Sequence, residues 1–255
     1  MSKILVIPDI HLKPEIFDKA EQIMNLAKVD NVVFLGDLVD NWNQENNIDL
    51  YKQTINRAIK FKEDYPNSLY CWGNHEIGYF AQWNCSGNSK LHALEIKSLL
   101  SEYERKVEPK YIHVVDEVIF SHGGIEKSTA EVISIFGKFK HANELADNLN
   151  KMSIEALGDY ISPIWLRPQF GEYYTRYTQV VGHSPVRQPL YTMNTWFLDL
   201  FSTTSQGNNC SKLLYMSIID TINYEISFFD CKNKPKFVTT VNRLNWNTYN
   251  GEKDL

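Results

Sequence analysis

Ile4-Leu5-Val6-Ile7-Pro8-Asp9-Ile10-His11 is the stretch whose reading decides the fold. Four consecutive apolar residues are enough for a buried strand. Side chains two apart on an extended segment point the same way, so Asp9 and His11 set a carboxylate beside an imidazole just past the strand's carboxyl end. In open α/β sheets that is where ligands bind. Alone, the tripeptide reads more readily as a turn aspartate next to a surface histidine. Its weight comes from repetition further along the chain.

From Pro14 to Lys28, Ile16, Phe17, Ala20, Ile23, Met24 and Ala27 recur three and four apart, which predicts an amphipathic helix. A second apolar run, Val32-Val33-Phe34-Leu35, stops at Gly36-Asp37. Strand, helix and strand at this spacing form a βαβ unit with parallel strands. A helix over 48–64 is broken by Pro66-Asn67, and a third strand, 68–72, ends at Gly73-Asn74-His75-Glu76. Residues 77–90, rich in Gly, Asn, Ser and aromatics, read as a loop over the site. A helix over 92–103, a hairpin over 111–121 and two or three short helices over 126–160 follow. The rest is strand after strand: 177–181, then near 190–193, 196–200, 213–219 and 224–230, with a polar loop at 202–211. From about 232 the chain is a polar tail anchored only by Trp246 and Tyr249. No repeat, heptad or break in composition divides it, so 1–255 reads as a single domain.

The composition fits one sizeable core: 255 residues, 43% hydrophobic and 22% charged. A net charge of −5 gives no support for a nucleic-acid or anionic-membrane partner. Cys71, Cys85, Cys210 and Cys231 include no CxxC pair, and nothing reads as a disulfide framework or a signal peptide. The expected setting is the reducing cytoplasm, with no membrane segment.

Five strand endings carry oxygen and imidazole donors: Asp9-Ile10-His11, Gly36-Asp37-Leu38-Val39-Asp40, Gly73-Asn74-His75-Glu76, Ser121-His122-Gly123-Gly124 and Gly182-His183-Ser184. Carboxylate, imidazole and amide oxygen suit borderline or hard divalent metals. The donors are too many for one ion. Asp9 and His11 can hold one, Asn74, His122 and His183 a second, and Asp37 can bridge them. Two ions about 3.5–4 Å apart clamp an in-line displacement at phosphorus and supply a hydroxide near neutral pH.

The ordered set DxH, GDxxD, GNH(E/D), H and GHxx, over residues 9–184, resembles the calcineurin-like metallophosphoesterase superfamily. The resemblance implies a four-layer α/β/β/α sandwich with mixed sheets. It implies a dinuclear phosphoester hydrolase that uses a metal-bridging hydroxide. Mn²⁺ is the expected ion, with Fe, Zn or Ni as alternatives. Asp9, His11, Asp37, Asn74, His122 and His183 match the metal ligands. His75 matches the histidine that protonates the leaving oxygen, and Asp40 the carboxylate that orients it. The chemistry agrees, because a leaving alkoxide needs a proton and a carboxylate-paired imidazole can give one.

Gly182-His183-Ser184-Pro185 lacks the second histidine of GHxH. It is similar to the GHTP of protein Ser/Thr phosphatases and symmetrical diadenosine tetraphosphate hydrolases. Ile164-Trp165-Leu166-Arg167 is similar to the W-x-R segment of bacterial and phage members, which implies that Arg167 grips the substrate phosphate. One departure stands out: the branch reads GDxVDRG, and here Asp40 is followed by Asn41-Trp42. Trp42 is read as core, with stacking on a base as its alternative. Glu76 is either a helix N-terminal acid or an acceptor for a ligand imidazole; His92, His113 and His141 are surface or structural. The expected activity is that of a Ser/Thr-phosphatase-like phosphomonoesterase. A dinucleoside polyphosphate hydrolase or phosphodiesterase is the alternative, and a non-catalytic binding module a remote one. The expected partner is a phosphorylated substrate: a phosphoprotein, a small phosphoester or a nucleotide. Nothing in the sequence speaks to oligomeric state.

Overall fold

The structure, a computed structural model, describes residues 2–137 and 139–242. It is a mixed α/β sandwich of two mixed sheets. The chain begins β1 (Lys3–Ile7), α1 (Glu15–Leu26), β2 (Asn31–Phe34), α2 (Ile48–Asp64), β3 (Leu69–Tyr70), α3 (Asn74–Ala81) and α4 (Ala93–Val107). The hairpin β4 (Ile112–Val115) and β5 (Val118–Ser121) leads to α5 (Lys127–Gly137), α6 (Ala142–Leu149) and α7 (Ile154–Leu157). Then come β6 (Gln179–Val181), β7 (Leu190–Thr192), β8 (Thr195–Phe197), β9 (Tyr215–Asp220), β10 (Glu225–Asp230) and β11 (Lys236–Asn242).

The first sheet runs β11-β10-β9-β1-β2-β3, and the second β4-β5-β6-β8-β7. β1, β2 and β3 are parallel, and β9 joins β1 antiparallel. In the second sheet β5, β6 and β8 are parallel, with antiparallel β4 and β7 at the edges. Alternation along β5 shows the layering. Val118 and Phe120 enter the large core shared with the first sheet, while Ile119 faces a smaller cluster with Ala142, Leu145 and Leu149 of α6. On the outer face of the first sheet, α1 and α2 bring Phe17 and Phe61 to Phe34, at ring distances of 5.3 and 5.2 Å. Truncating a buried aromatic of this kind costs about 3–5 kcal/mol.

Two stretches depart from the sequence reading. The loop expected over 77–90 starts only after Ala81, because Glu76 at the start of α3 accepts from Gly73 N at 2.9 Å and so caps the helix. The polar stretch from 232 contains β11, whose Phe237↔Phe229 and Val241↔Ile226 pairing extends the first sheet by an edge strand. Trp246 and Tyr249 lie outside the described residues. Among the described residues no helix is long and apolar enough to cross a membrane.

Candidate metal centre

The parallel strands deliver their carboxyl ends to one rim, and the five polar endings meet there. Close approach is built in by glycine. Gly36 has φ +101°, and a Cβ on it would lie 2.6 Å from Gly73 N; a Cβ on Gly182 would lie 2.4 Å from Asp9 Oδ2. His11, Asp37, Asp40 and His183 also have left-handed φ, at 47°, 49°, 64° and 59°. Non-glycine residues hold such angles at a cost of about 1–3 kcal/mol each, and they concentrate at functional sites.

Two donor groups share Asp37. His11, Asp37 and His75 form one, and Asp37, His122 and His183 the other, with each group's donor atoms within 4.8 Å of one another. Asn74 joins the second through Oδ1, 3.0 Å from His122 Nε2. Asp9, expected beside His11, lies toward the second group. It accepts from His183 N at 3.0 Å and lies 3.6 Å from His122 Nδ1. His75, expected apart from the ligands, falls spatially within the first group.

Backbone carbonyls set the imidazoles. His11 Nδ1 donates to Asp40 O at 2.9 Å, and His122 Nδ1 to Leu35 O at 2.8 Å. Each ring therefore turns Nε2 toward Asp37, at 3.8 and 3.2 Å. His75 does the same with Nδ1 on Asp40 Oδ2 at 2.9 Å, its Nε2 3.8 Å from Asp37. Arg167 Nε donates to His183 Nε2 at 3.0 Å. An imidazole nitrogen can accept this bond or hold a metal, not both.

Glu76 accepts from Asp37 N and Val39 N at 3.1 and 3.0 Å, as well as from Gly73 N. It is a helix N-terminal acid that also fixes the backbone around Asp37. Trp42, expected in the core, is half-buried on the cleft wall with Asn41, Ser86, Arg167, Pro185 and Thr203. Gly87 packs against the Asn41–Trp42 backbone, and Asn41 accepts from Thr203 Oγ1. These contacts hold Trp42 at the rim. The cleft encloses about 90 Å³.

Electrostatics split the histidines within each group. Burial, the largest influence, would lower His75 and His122, but the charge of Asp37 together with carboxylate hydrogen bonds and the charges of neighbouring carboxylates outweighs it and raises both to about 9. Burial lowers His11 to about 3 and takes His183 well below its ordinary value. Burial, then the charge of Asp199, raises Asp9 well above the usual carboxylate range.

The calcineurin-like phosphoesterase family matches residues 2–222. The chain belongs to that family. It is a metal-dependent phosphoester hydrolase. No curated protein matches it in sequence. Its fold is similar to that of a cold-active protein tyrosine phosphatase, with TM-score 0.53 and 16% identity over 94% of this chain and 79% of that one. Weaker overlaps are with Yfce, a phosphoesterase from E. coli (TM-score 0.44, 11% identity, 94% and 98% covered), and a metallophosphoesterase from Sphaerobacter thermophilus (0.38, 12%, 94% and 88%).

The donors of this phosphoesterase fit a pair of divalent ions. Asp9 and Asp199 are buried carboxylates, and among the described residues neither has a lysine or arginine within ion-pair distance, while Asp37 already draws on His75 and His122. Asp199 Oδ1 accepts from Ser202 N at 3.0 Å, while its buried Oδ2 has no partner. Uncompensated buried charge is costly, and bound cations remove that cost. Sequence reading missed Asp199, since the strand predicted over 196–200 runs through it. The strand ends at Phe197, so Asp199 follows the same strand-end pattern as the other donors.

Proposed function

We propose that this chain, acting as a single domain, is a phosphomonoesterase of the Ser/Thr-phosphatase-like branch with a dinuclear centre. Asp9, His11, Asn74, His122 and His183 are its ligands and Asp37 its bridge. When bound, the two ions supply a nucleophilic water near neutral pH and neutralise charge on the phosphoryl oxygens. Mn²⁺ is the expected occupant. His75 gives a proton from Nε2 to the leaving oxygen, with Asp40 holding its Nδ1. Arg167, half-buried on the same cleft, takes phosphate oxygens with its terminal nitrogens. Four free cysteines support a reducing compartment such as the cytoplasm.

The observation that carries the monoester reading is the size of the cleft. Pockets that enclose a whole small-molecule ligand measure about 300–1,000 Å³. At about 90 Å³ this one has room for a phosphoryl group but not for a whole nucleotide, and Arg167 on its wall offers the additional cation that suits a doubly charged monoester. A second reading, a dinucleoside polyphosphate hydrolase, is favoured by Trp42. Its ring lies on the cleft wall where a base can stack.

The test is hydrolysis by metal-free protein reloaded with Mn²⁺. p-Nitrophenyl phosphate, bis-p-nitrophenyl phosphate, phosphoserine and phosphotyrosine peptides, and diadenosine tetraphosphate are compared in parallel. Phosphotyrosine is included because one structure of similar fold is described as a protein tyrosine phosphatase. Preference for the monoesters is expected. Preference for the dinucleotide, lost in Trp42→Ala, moves the assignment to the second reading.

A further inference from the structure

Asp40 receives more donors than a partner for one histidine needs. Tyr51 of α2 donates to Oδ1 at 2.8 Å, and Tyr79 of α3 to the same oxygen at 2.6 Å. Oδ2 is left to His75 Nδ1 at 2.9 Å. Tyr51 and Asp40 are both 0% exposed, and Tyr79 and His75 7% each. Tyr79's oxygen also accepts from the backbone N of Ser89 at 2.9 Å. Ser89 belongs to the segment between α3 and α4, which reaches the cleft at Ser86.

A carboxylate held by one contact can turn about its Cβ–Cγ bond and offer either oxygen. Two phenol donors on one oxygen remove that freedom. They come from two helices that enter the site independently, so the direction left for the imidazole is set by the packing of the fold. The phenols also supply polar partners to a carboxylate that no lysine or arginine meets among the described residues, which offsets part of its desolvation. Burial, then the charge of Asp40, raises both phenols above their ordinary value, so they remain protonated donors.

We infer that Tyr51 and Tyr79 are positioning residues for His75: by filling Asp40 Oδ1 they fix the direction of the imidazole, and Tyr79 ties that direction to the loop at Ser89. This rests on His75 being the proton donor.

The test uses Tyr51→Phe, Tyr79→Phe and His75→Asn, each loaded with Mn²⁺. Each is also combined pairwise, and assayed on aryl phosphates from p-nitrophenyl phosphate to phenyl phosphate. Each tyrosine variant should keep two metals and a KM within about 2-fold of the parent, while kcat falls about 3–10-fold on phenyl phosphate and less than about 2-fold on p-nitrophenyl phosphate. In the His75→Asn background the tyrosine substitution should add no further loss, because its effect runs through the missing ring. Two tyrosine variants are made so that failure of one to fold leaves the other to decide. Equal losses across leaving groups, or an undiminished loss without His75, overturn the tyrosine assignment alone. A His75→Asn enzyme indifferent to the leaving group overturns the acid assignment and this one with it.

Discussion

The two sides of the cleft are built by opposite means. On the His75 side the polar atoms that matter are matched within the protein. Asp40 has two phenols and an imidazole, and Glu76 has three backbone N–H groups. On the Asp9 side carboxylates face one another, Asp199 keeps an orphaned oxygen, and Arg167 is engaged with His183. The first side is preorganised for proton transfer before anything binds. The second sets one raised imidazole, His122, against the carboxylates Asp9, Asp37 and Asp199, and bound cations supply the rest of the positive charge.

Asp37 belongs to both donor groups, so its loss should be felt on both sides at once. Asp37→Asn should abolish phosphoester hydrolysis and lower bound metal below two ions per chain, measured by turnover and elemental analysis. Full activity with both metals retained would break the comparison outright. His75→Asn touches only the matched side. It should keep both metals while turnover falls about 10²–10⁴-fold, most for poor leaving groups. Loss of metal instead would make His75 a ligand, in line with its place beside His11 and Asp37.

What could be read in the sequence follows the same division. Asp9, His11, Asp37, Asn74, His122 and His183 each lie within a few residues of an apolar run, and run and turn are local signals. The bracing of the matched side comes from elsewhere. Tyr51 occurs at core spacing on a helix, where a phenol aimed at a carboxylate leaves the same pattern as one packed in the core, and Tyr79 falls in the stretch read as loop, whose first turns are in fact α3. Trp42 was misplaced for a related reason, since its position depends on Gly87 and Thr203 from distant loops. β11 was lost because an edge strand of Lys, Thr and Asn with few buried residues lacks an apolar run.

pH reports on one imidazole from each side without mutation. In the metal-free protein His75 and His122 are raised from 6.5 to about 9. A group raised on folding contributes stability that is whole below its unfolded value and disappears as pH rises through its folded value. Between pH 6.5 and 9 the folded state therefore holds more protons than the unfolded one, and stability falls by about 1.4 kcal/mol per pH unit for each extra proton. His11 and His183, both lowered, are neutral in the folded state over this range; their partly protonated unfolded forms oppose the fall slightly near pH 6.5 and add nothing above about pH 8. Urea unfolding of metal-free protein should show lower stability at pH 9 than at pH 7. Metal loading should flatten the slope by the share of His122, whose ligating nitrogen then carries no proton. A metal-free profile that is level or rising from 7 to 9 would contradict the charge assignment.

The smallest expected effect contrasts two carboxylates directly. Asp199→Asn removes one charge from the unmatched side, where burial raises the carboxyl above 3.8. A raised carboxyl favours folding below pH 3.8 and loses that contribution as pH rises through the folded value, so the amide should stabilise the metal-free protein by about 1 kcal/mol at pH 7 and by less than half of that near pH 4. Asp40→Asn should act with the opposite sign. An amide NH₂ facing the two phenols loses their hydrogen bonds, and one facing His75 Nδ1 forces the ring to give up its charge and accept there, at a cost of about 1–3 kcal/mol either way. Thermal unfolding of the two metal-free variants at pH 7 and pH 4 decides the matter. If Asp199→Asn destabilises as much as Asp40→Asn, the Asp9 side is already balanced by groups of the protein, and its need for bound cations disappears.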